Sequence, residues 1–503
     1  MAGNTLLINA AIGETRVAVI ENGILAELYV ERGRDRSPVG NIYRGRVTRV
    51  LPGMQAAFVD VGLDRAAFLH VEDLISAPSL ETQLDDEGDD TNNRTGRRIS
   101  RKTPIREVLN EGQTIVVQVS KGPISTKGAR VTGHIALPGR YVVYTPTVDH
   151  VGVSKRIGKD KERRRLKEVI DQIRPPTGGV IVRTLGQGLT KKALKSDIGY
   201  LIKVWERTAE QIASTSKAPA LLYEELDIVL RAARDLFTEE IDQVVVDSET
   251  DYARLIAFLE MFLPERVGDA QLYEDHESLF DAYGIEDEIQ RALSRKIPLP
   301  SGGHLVIDQA EALTAIDVNT GRFTGKGRDV GDTIVQTNLE AVKEIGYQLR
   351  FRNIGGLIVL DFIDMEKESH RDKVYKELLQ VLKQDKARTT TVRISELGLV
   401  EMTRKRTRES LGRTLYEPCF YCDGTGQLKS KSTVCHEIFR QMKREKEAIP
   451  GYKIVVSAHP AVCDMLRREE RKSLEEAASR LERRIVLQPC RDYHLEQFDL
   501  TAG

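Results

Sequence analysis

No stretch of this sequence approaches the roughly 18 consecutive apolar residues that a membrane helix needs, so no membrane span is expected. Cysteine is scarce, with five in 503 residues, and an odd count in so long a chain argues against a disulfide framework. The opening MAGNTLLINAAIGETRVAVIENG has no basic flank before its apolar residues, and glycine and acidic residues soon interrupt it. It does not read as a secretory signal, and the cytoplasm is the expected compartment. Net charge is missing too: 75 Lys plus Arg stand against 76 Asp plus Glu. A polyanionic partner must therefore be argued from local clusters, not from overall charge.

What is present reads as globular and built of several domains, with 40% hydrophobic and 30% charged residues. Residues 5–10, 15–20 and 23–30 read as three short strands, a meander that must pack on something later in the chain. From Gly40 to Gly133 strands and turns alternate, interrupted at about 76–104 by DDEGDD, TNN and RRISRK without apolar periodicity. A barrel of about five strands carrying a surface insertion points to an OB-fold. Residues 134–228 mix strands with basic helical runs such as KDKERRRLKEVIDQI. From 301 a strand pair is followed by alternating helix and strand, with helices expected around 333–351 and 367–384; this predicts an α/β domain with a partly parallel sheet. The tail reads as a strand in YKIVVSAHP, a charged helix and a final strand in RRIVLQP.

The chemistry concentrates at two carboxylates. In LTAIDVN a period of two puts Leu313, Ala315, Asp317 and Asn319 on one face, and Ile316 and Val318 on the other. In GGLIVLDFIDM the apolar run Leu357 to Leu360 predicts a strand buried on both faces, with Asp361 directly after it. A lone Asp after a strand most often caps it or the next helix, and Asp308 and Asp364 read that way. Two carboxylates on neighbouring strands would instead form a hard-oxygen site for Mg²⁺, suited to phosphodiester hydrolysis. Asn319 could orient water or phosphate there without adding charge.

Pro418-Cys419-Phe420-Tyr421-Cys422-Asp423-Gly424-Thr425-Gly426 is a CxxC in a glycine-rich turn, the knuckle that wraps two thiolates around zinc. No second CxxC exists, and Cys435, Cys463 and Cys490 are isolated. A redox pair, a zinc site completed by distant residues, and a zinc site shared between protomers all remain. A redox CxxC normally opens a helix after a strand, so metal is preferred. Two copies each giving two thiolates solve the ligand count most simply, which predicts a zinc-linked homodimer.

Phe58 shares a strand face with Asp60, and Phe68 with His70, opposite the core-like Val59, Val61, Ala67 and Leu69. Two rings on the polar faces of barrel strands read as stacking platforms for bases, unless barrel twist turns them inward. Lys121 and Lys127 could meet phosphates nearby. Arg404, Lys405, Arg406 and Arg408 form a basic run that is either a solvated face or a polyanion contact. GRFTGKG at 321–327 is one residue short of a phosphate loop and lacks Ser/Thr after Lys, so no ATPase is read; His276-Glu277 lacks the second His of a zincin.

The segments GNIYRGRVTRVLPGMQAAFVDVG, TKGAR, IVRT, GGHLVIDQ, EALTAIDVNTG, GGLIVLDFIDM and LVEMTRKRTRES, in that order, resemble the catalytic region of the bacterial ribonuclease E/G family over almost the whole chain. The resemblance implies a multidomain α/β and α+β fold. Residues 1–36 and 230–292 would be two parts of an RNase H-like domain, 37–133 an S1-type OB-fold with the 76–104 insertion, and 134–229 a 5′-sensor domain. Residues 293–414 would be a DNase I-like catalytic domain, 415–430 a zinc link and 431–503 a small C-terminal domain. It implies catalytic Mg²⁺ at Asp317 and Asp361 with Asn319 in support, and structural Zn²⁺ shared between protomers at Cys419 and Cys422. Arg183 and Thr184 of IVRT would bind a 5′-monophosphate, with Gly139, Val143 and Lys155 lining that pocket. Lys155 stands where some relatives have Arg, which keeps the charge but loses the bidentate fork. Phe58, Phe68, Lys121, Lys127 and Arg388 would contact RNA. The expected activity is hydrolytic cleavage of single-stranded, A/U-rich RNA in ribosomal RNA processing and messenger decay, by a homodimer or a homotetramer. A non-catalytic RNA chaperone and a DNA nuclease are the rival readings.

Overall fold

The computed structural model describes residues 3–33, 36–75, 104–123, 127–158, 160–321, 330–406 and 408–503. The expected insertion, except Pro104, and the glycine-rich stretch after Gly321 lie outside these residues. The chain forms two compact units, Met1–Thr414 and Leu415–Gly503. Among the described residues no helix is long and apolar enough to cross a membrane.

The N-terminal meander forms as expected, with strands Thr5–Ala11, Glu14–Glu21 and Ile24–Arg32 pairing antiparallel in sequence. Its first strand then pairs parallel with Gln243–Val246, which pairs parallel with Ala270–Leu272. The later partner that the meander requires is the helix pair Ile228–Asp235 and Glu249–Phe262, whose Val229, Leu255 and Leu259 pack with Leu6, Ile8, Val17 and Val19. Each such side chain removed from water contributes about 1.5–3 kcal/mol, which a bare meander could not collect.

Between these halves lies a closed barrel. Strand Ile42–Leu51 pairs with Ala56–Asp60 and also with Thr114–Lys121, and strands Ala67–His70 and Arg130–Thr132 complete the ring. Its interior is Val47, Ala57, Val59, Leu69, Val117 and Val131. A closed five-stranded barrel of this kind is OB-like. A sixth strand, Ala220–Tyr223, pairs with Ile42–Arg44 from outside the ring. A further four-stranded sheet contains Val142–Thr145 and Gly179–Val182, and helices Asp160–Ile173 and Lys191–Ser214 supply Leu166, Ile170, Leu194 and Ile198 to its core.

Residues 296–404 form a six-stranded sheet that is partly parallel, as expected. His304–Gln309 and Leu313–Asn319 make a hairpin, Leu313–Asn319 pairs parallel with Gly356–Asp361, and Leu399–Arg404 returns antiparallel. Helices Val330–Phe351 and Glu368–Leu382 cover one face through Val342, Ile345, Leu349, Val374 and Leu378. They approach closely because position 346 is glycine: a Cβ there would lie 2.1 Å from Val381 Cγ1.

The second unit is a three-stranded sheet, with Lys453–Ala458 between a parallel Arg484–Pro489 and an antiparallel Phe498–Ala502. Phe498–Ala502 is a strand beyond the final one that the sequence pattern gave. The single expected helix after Lys453–Ala458 is two, Pro460–Arg467 and Arg471–Leu481.

Candidate active site

Among the described residues one face of the six-stranded sheet carries no helix, and that face holds the acidic pair. In Leu313–Asn319 the even positions Thr314, Ile316 and Val318 are buried, while Ala315 and Asp317 are exposed. The parallel register sets Asp317 opposite Asp361. Both sit at or near the carboxyl ends of their strands, where α/β sheets place ligands. The expectation that the run Leu357 to Leu360 is buried on both faces is wrong. Ile358 and Leu360 are fully buried, but Leu357 is 43% exposed. Among the described residues only one face has helices over it, so Leu357 and Val359 floor the open face beside the carboxylates.

Asn319 Nδ2 donates to Asp317 Oδ2 at 2.7 Å, which fixes that carboxylate. The Asp361 carboxyl is pushed above the usual range by partial burial first, then by the negative charges of Asp317 and Asp364. The sequence predicts a structural role for the Asp364 carboxylate. Helix Glu368–Leu382 has Lys367 as its N-cap, so Asp364 caps nothing there and instead adds charge to the site. Asp308 does have a structural partner, Arg295, at 2.6 and 2.7 Å. His304 was not singled out, yet the hairpin pairs it with Asn319. Counting back across the short turn, Ala310 N to Leu313 O, would have found it.

This donor set fits a hard divalent ion. Beyond burial, the repulsion between Asp317 and Asp361 that helps raise Asp361 is what a cation between the carboxylates relieves. Among the described residues no group of three or more His, Cys, Asp or Glu gathers to hold a metal. A two-carboxylate site still suits Mg²⁺, which commonly keeps several waters.

On the barrel, Phe58 and Phe68 are register partners with ring centroids 6.2 Å apart at 72°. Ala57, Val59, Ala67 and Leu69 are fully buried, while both rings are half-buried, so the rings face outward. Arg49 pairs with Phe58 and Arg130 with Phe68 along the same ladders. Lys121 and Lys127 are exposed, and Arg388 is exposed beside strand Thr389–Thr391.

Arg183 follows strand Gly179–Val182, and its amide donates to Tyr141 O. Val143 pairs with Ile181, two positions along each strand, and so shares the Arg183 face. Val143 itself is buried against Val148 and Ile181 and contributes shape without a polar group. Arg183 Nη1 donates to Gly139 O at 2.6 Å and to Asp235 Oδ1 at 2.7 Å. Thr184 opens a 3₁₀ turn, and its hydroxyl lies 3.4 Å from that of Ser154, next to the exposed Lys155. Gly139, Val143, Arg183 and Thr184 are thus gathered around one end of this sheet, with Lys155 beside them.

The basic run divides. Arg404 is buried, with Nε and Nη2 on Asp385 at 2.6 and 3.1 Å and Nη1 on Ile354 O at 2.9 Å. Arg408 lies 3.7 Å over the Tyr29 ring and donates to Leu28 O, so burial pushes its guanidinium below the usual range. Neither forms part of a polyanion surface. Lys405 and Arg406 are exposed.

In the second unit Cys419 and Cys422 lie in a turn, and the first helix after them begins only at Lys431. Asp423, Gly424 and Gly426 all have positive φ, the conformation that favours glycine. The Gly426 amide donates to Cys422 Sγ at 3.2 Å. That contact, ahead of contributions from Cys419 and Gly424, holds the Cys422 thiol below its ordinary range and favours the thiolate a metal takes. Tyr421 is pinned to the same unit by His494, whose Nε2 lies 2.7 Å from Tyr421 O. Cys435 and Cys463 are fully buried in the core around Ile454 and Val456. Two sulfurs fit half of a zinc site.

Comparison with known proteins agrees with this layout. The Ribonuclease E/G family model matches residues 136–407, and the model for the RNase E/G thioredoxin-like domain matches residues 418–503. Ribonuclease G of Salmonella typhimurium (strain SL1344) is 45% identical over 499 residues, covering 99% of each chain. Ribonuclease G of Haemophilus influenzae is 42% identical over 500 residues, again covering 99% of each. Ribonuclease E of Haemophilus influenzae is 36% identical over 506 residues, covering 99% of this chain and 52% of its own length. With full-length matches at these identities, more similar to these ribonucleases G than to that ribonuclease E, the chain belongs to the ribonuclease E/G family.

Proposed function

We propose that this endoribonuclease of RNA processing and decay hydrolyses single-stranded, A/U-rich RNA with a divalent ion held by Asp317 and Asp361. The observation that carries the reading is the pairing of the two carboxylates in register on the open sheet face, with no cationic side chain between them among the described residues. Bound Mg²⁺ would supply Lewis acidity and positive charge at the scissile phosphate. The chain's own residues hold that site: Asn319 locks the Asp317 carboxylate, Asp364 deepens the negative field, and Leu357 and Val359 leave the face open to the strand. In-line attack by water leaves a 5′-phosphate and a 3′-hydroxyl.

Phe58 and Phe68 stack bases, Lys121, Lys127 and Arg388 meet phosphates, and Arg183 and Thr184, with Lys155, Gly139 and Val143, receive a 5′-monophosphate that stimulates cleavage. The sheet over Thr5–Arg32, 243–246 and 270–272 supports an RNase H-like domain built from 1–36 and 230–292. The helix-backed six-stranded sheet supports a DNase I-like domain at 293–414, and the closed barrel an S1-type fold at 37–133. The sheet holding Arg183 supports a 5′-sensor domain at 134–229. Residues 415–430 form a zinc link, ahead of a small domain at 431–503. Cys419 and Cys422 provide two thiolates, and a second copy of the chain provides the other two, giving a zinc-linked dimer or a tetramer built from it.

The test is cleavage of 5′-monophosphorylated single-stranded RNA with and without EDTA. Asp317→Asn and Asp361→Asn should each abolish cleavage and leave RNA binding largely intact. Full cleavage by either variant in Mg²⁺ would overturn the assignment. RNA binding without cleavage by the unaltered protein would favour a chaperone, and preferential cleavage of DNA a deoxyribonuclease.

A further inference from the structure

We infer that Asp235 is a positioning residue of the 5′-phosphate pocket: it anchors one nitrogen of the Arg183 guanidinium so that the opposite edge is presented to the RNA end. The inference rests on the reading of Arg183 as a phosphate-binding residue.

Arg183 Nη1 carries two hydrogens, and both are engaged, one by Gly139 O at 2.6 Å and one by Asp235 Oδ1 at 2.7 Å. Among the described residues Nε and Nη2 donate to no protein acceptor. That edge is the planar fork whose spacing matches two oxygens of a phosphate. The side chains of Arg183 and Asp235 are 28% and 30% exposed, so the pair is held by the protein yet reachable from solvent. Arginines with architectural roles behave differently here. Arg404 engages all three nitrogens, and Arg234 engages Nε and both Nη groups.

Both acceptors that grip Nη1 are themselves rigid. Asp235 is held by Arg234, through Nε at 3.2 Å and Nη2 at 3.0 Å. Arg234 is in turn fixed on its other nitrogen by Glu225 and Pro138 O, at 2.9 and 3.0 Å. The Gly139 carbonyl belongs to a segment clamped by Asp197, whose carboxylate accepts from the amides of Arg140, Tyr141 and Val142. A Cβ at position 139 would lie 2.6 Å from either Asp197 oxygen, so that approach requires glycine. Asp235 closes helix Ile228–Asp235, where the dipole disfavours a negative charge. Burial also disfavours it, but Arg234 and then Arg183 outweigh burial and keep the carboxyl below its ordinary range. Asp235 is therefore an ionised acceptor at neutral pH. Freed from it, the long Arg183 side chain would have to be ordered by the ligand at the moment of binding.

The experiment measures KM and kcat on one single-stranded RNA carrying either a 5′-monophosphate or a 5′-hydroxyl, for the unaltered protein, Arg183→Gln, Asp235→Ala and Asp235→Asn. Asp235→Ala should raise KM for the monophosphorylated RNA by about tenfold, as expected for losing a hydrogen bond between charged groups, with kcat carrying none of the loss. Asp235→Asn keeps an acceptor oxygen and should recover part of that change. Arg183→Gln should erase the advantage of the monophosphate. If Arg183→Gln leaves the advantage intact, the phosphate-pocket reading fails and this inference with it. If Arg183→Gln erases the advantage and Asp235→Ala keeps it in full, Asp235 is only a structural partner and this inference alone fails. Thermal melts show whether each variant is folded. Should Asp235→Ala not fold, an unchanged KM for the monophosphorylated RNA in Asp235→Asn overturns the inference.

Discussion

The acidic pair at 317 and 361 and the basic run at 404–408 are both charge clusters on one sheet and its continuation, and they have opposite fates. Arg404 and Arg408 find every partner inside the chain: a carboxylate, backbone carbonyls and an aromatic ring. Among the described residues Asp317 and Asp361 meet one neutral partner, Asn319, and otherwise charge of their own sign, from each other and from Asp364. A charge whose counter-charge lies within the chain builds the fold; a charge left facing its own sign waits for something from outside. Density of charge along the sequence does not separate the two cases, but the presence of a partner does.

The sharpest way to break this contrast is at the acidic pair. Asp361→Asn should lower kcat by on the order of 10³-fold, the equivalent of several kcal/mol of charge stabilisation at the phosphate, read in single-turnover cleavage. Next in size comes Arg404→Met, which leaves the Asp385 carboxylate buried and unpaired. It should lower stability by about 3–5 kcal/mol in urea melts, while the folded fraction binds RNA with unchanged salt dependence. A loss of RNA affinity without a loss of stability would put Arg404 on the wrong side of the comparison. Phe58→Ala and Phe68→Ala should each weaken RNA binding by about 1–3 kcal/mol and barely move the melting temperature, since both rings face outward.

The smallest effect is the most diagnostic. The folded-state pKa of Asp361 is raised, so its contribution to stability is present at low pH and is lost as pH rises through the raised value. At neutral pH without metal, Asp361→Asn should therefore stabilise the protein, by a few tenths of a kcal/mol once solvent screening is counted. Mg²⁺ should stabilise the unaltered protein and not the variant. Equal melting temperatures for both proteins under both conditions would remove the electrostatic argument for the site.

How far each region was legible follows from how local its determinants are. The alternation in Leu313–Asn319 was readable because one face is buried and the other is not, and the sequence states this with a period of two. Gly356–Asp361 was misread because its open face also carries Leu357 and Val359, and an apolar side chain does not announce which way it points. The outward rings of Phe58 and Phe68 are legible from the apolar residues that flank each of them along its strand, all of them fully buried. Strand Phe498–Ala502 leaves no mark in the local pattern because its partner is Lys453–Ala458, forty or more residues earlier. The grip of Asp235 on Arg183 spans 52 positions and leaves no periodic trace at all.

The sixth strand on the barrel has a practical consequence. One edge of Ile42–Arg46 is occupied by Thr114–Gln118 and the other by Ala220–Tyr223, a segment more than eighty residues past the ring's last strand. A fragment truncated at the ring would leave that edge bare, with the apolar Ile42 and Tyr43 beside unpaired amides and carbonyls. Exposed edges of this sort recruit further chains. Anyone excising the barrel for binding studies should expect self-association, and should carry Ala220–Tyr223 along, tethered or as an added peptide.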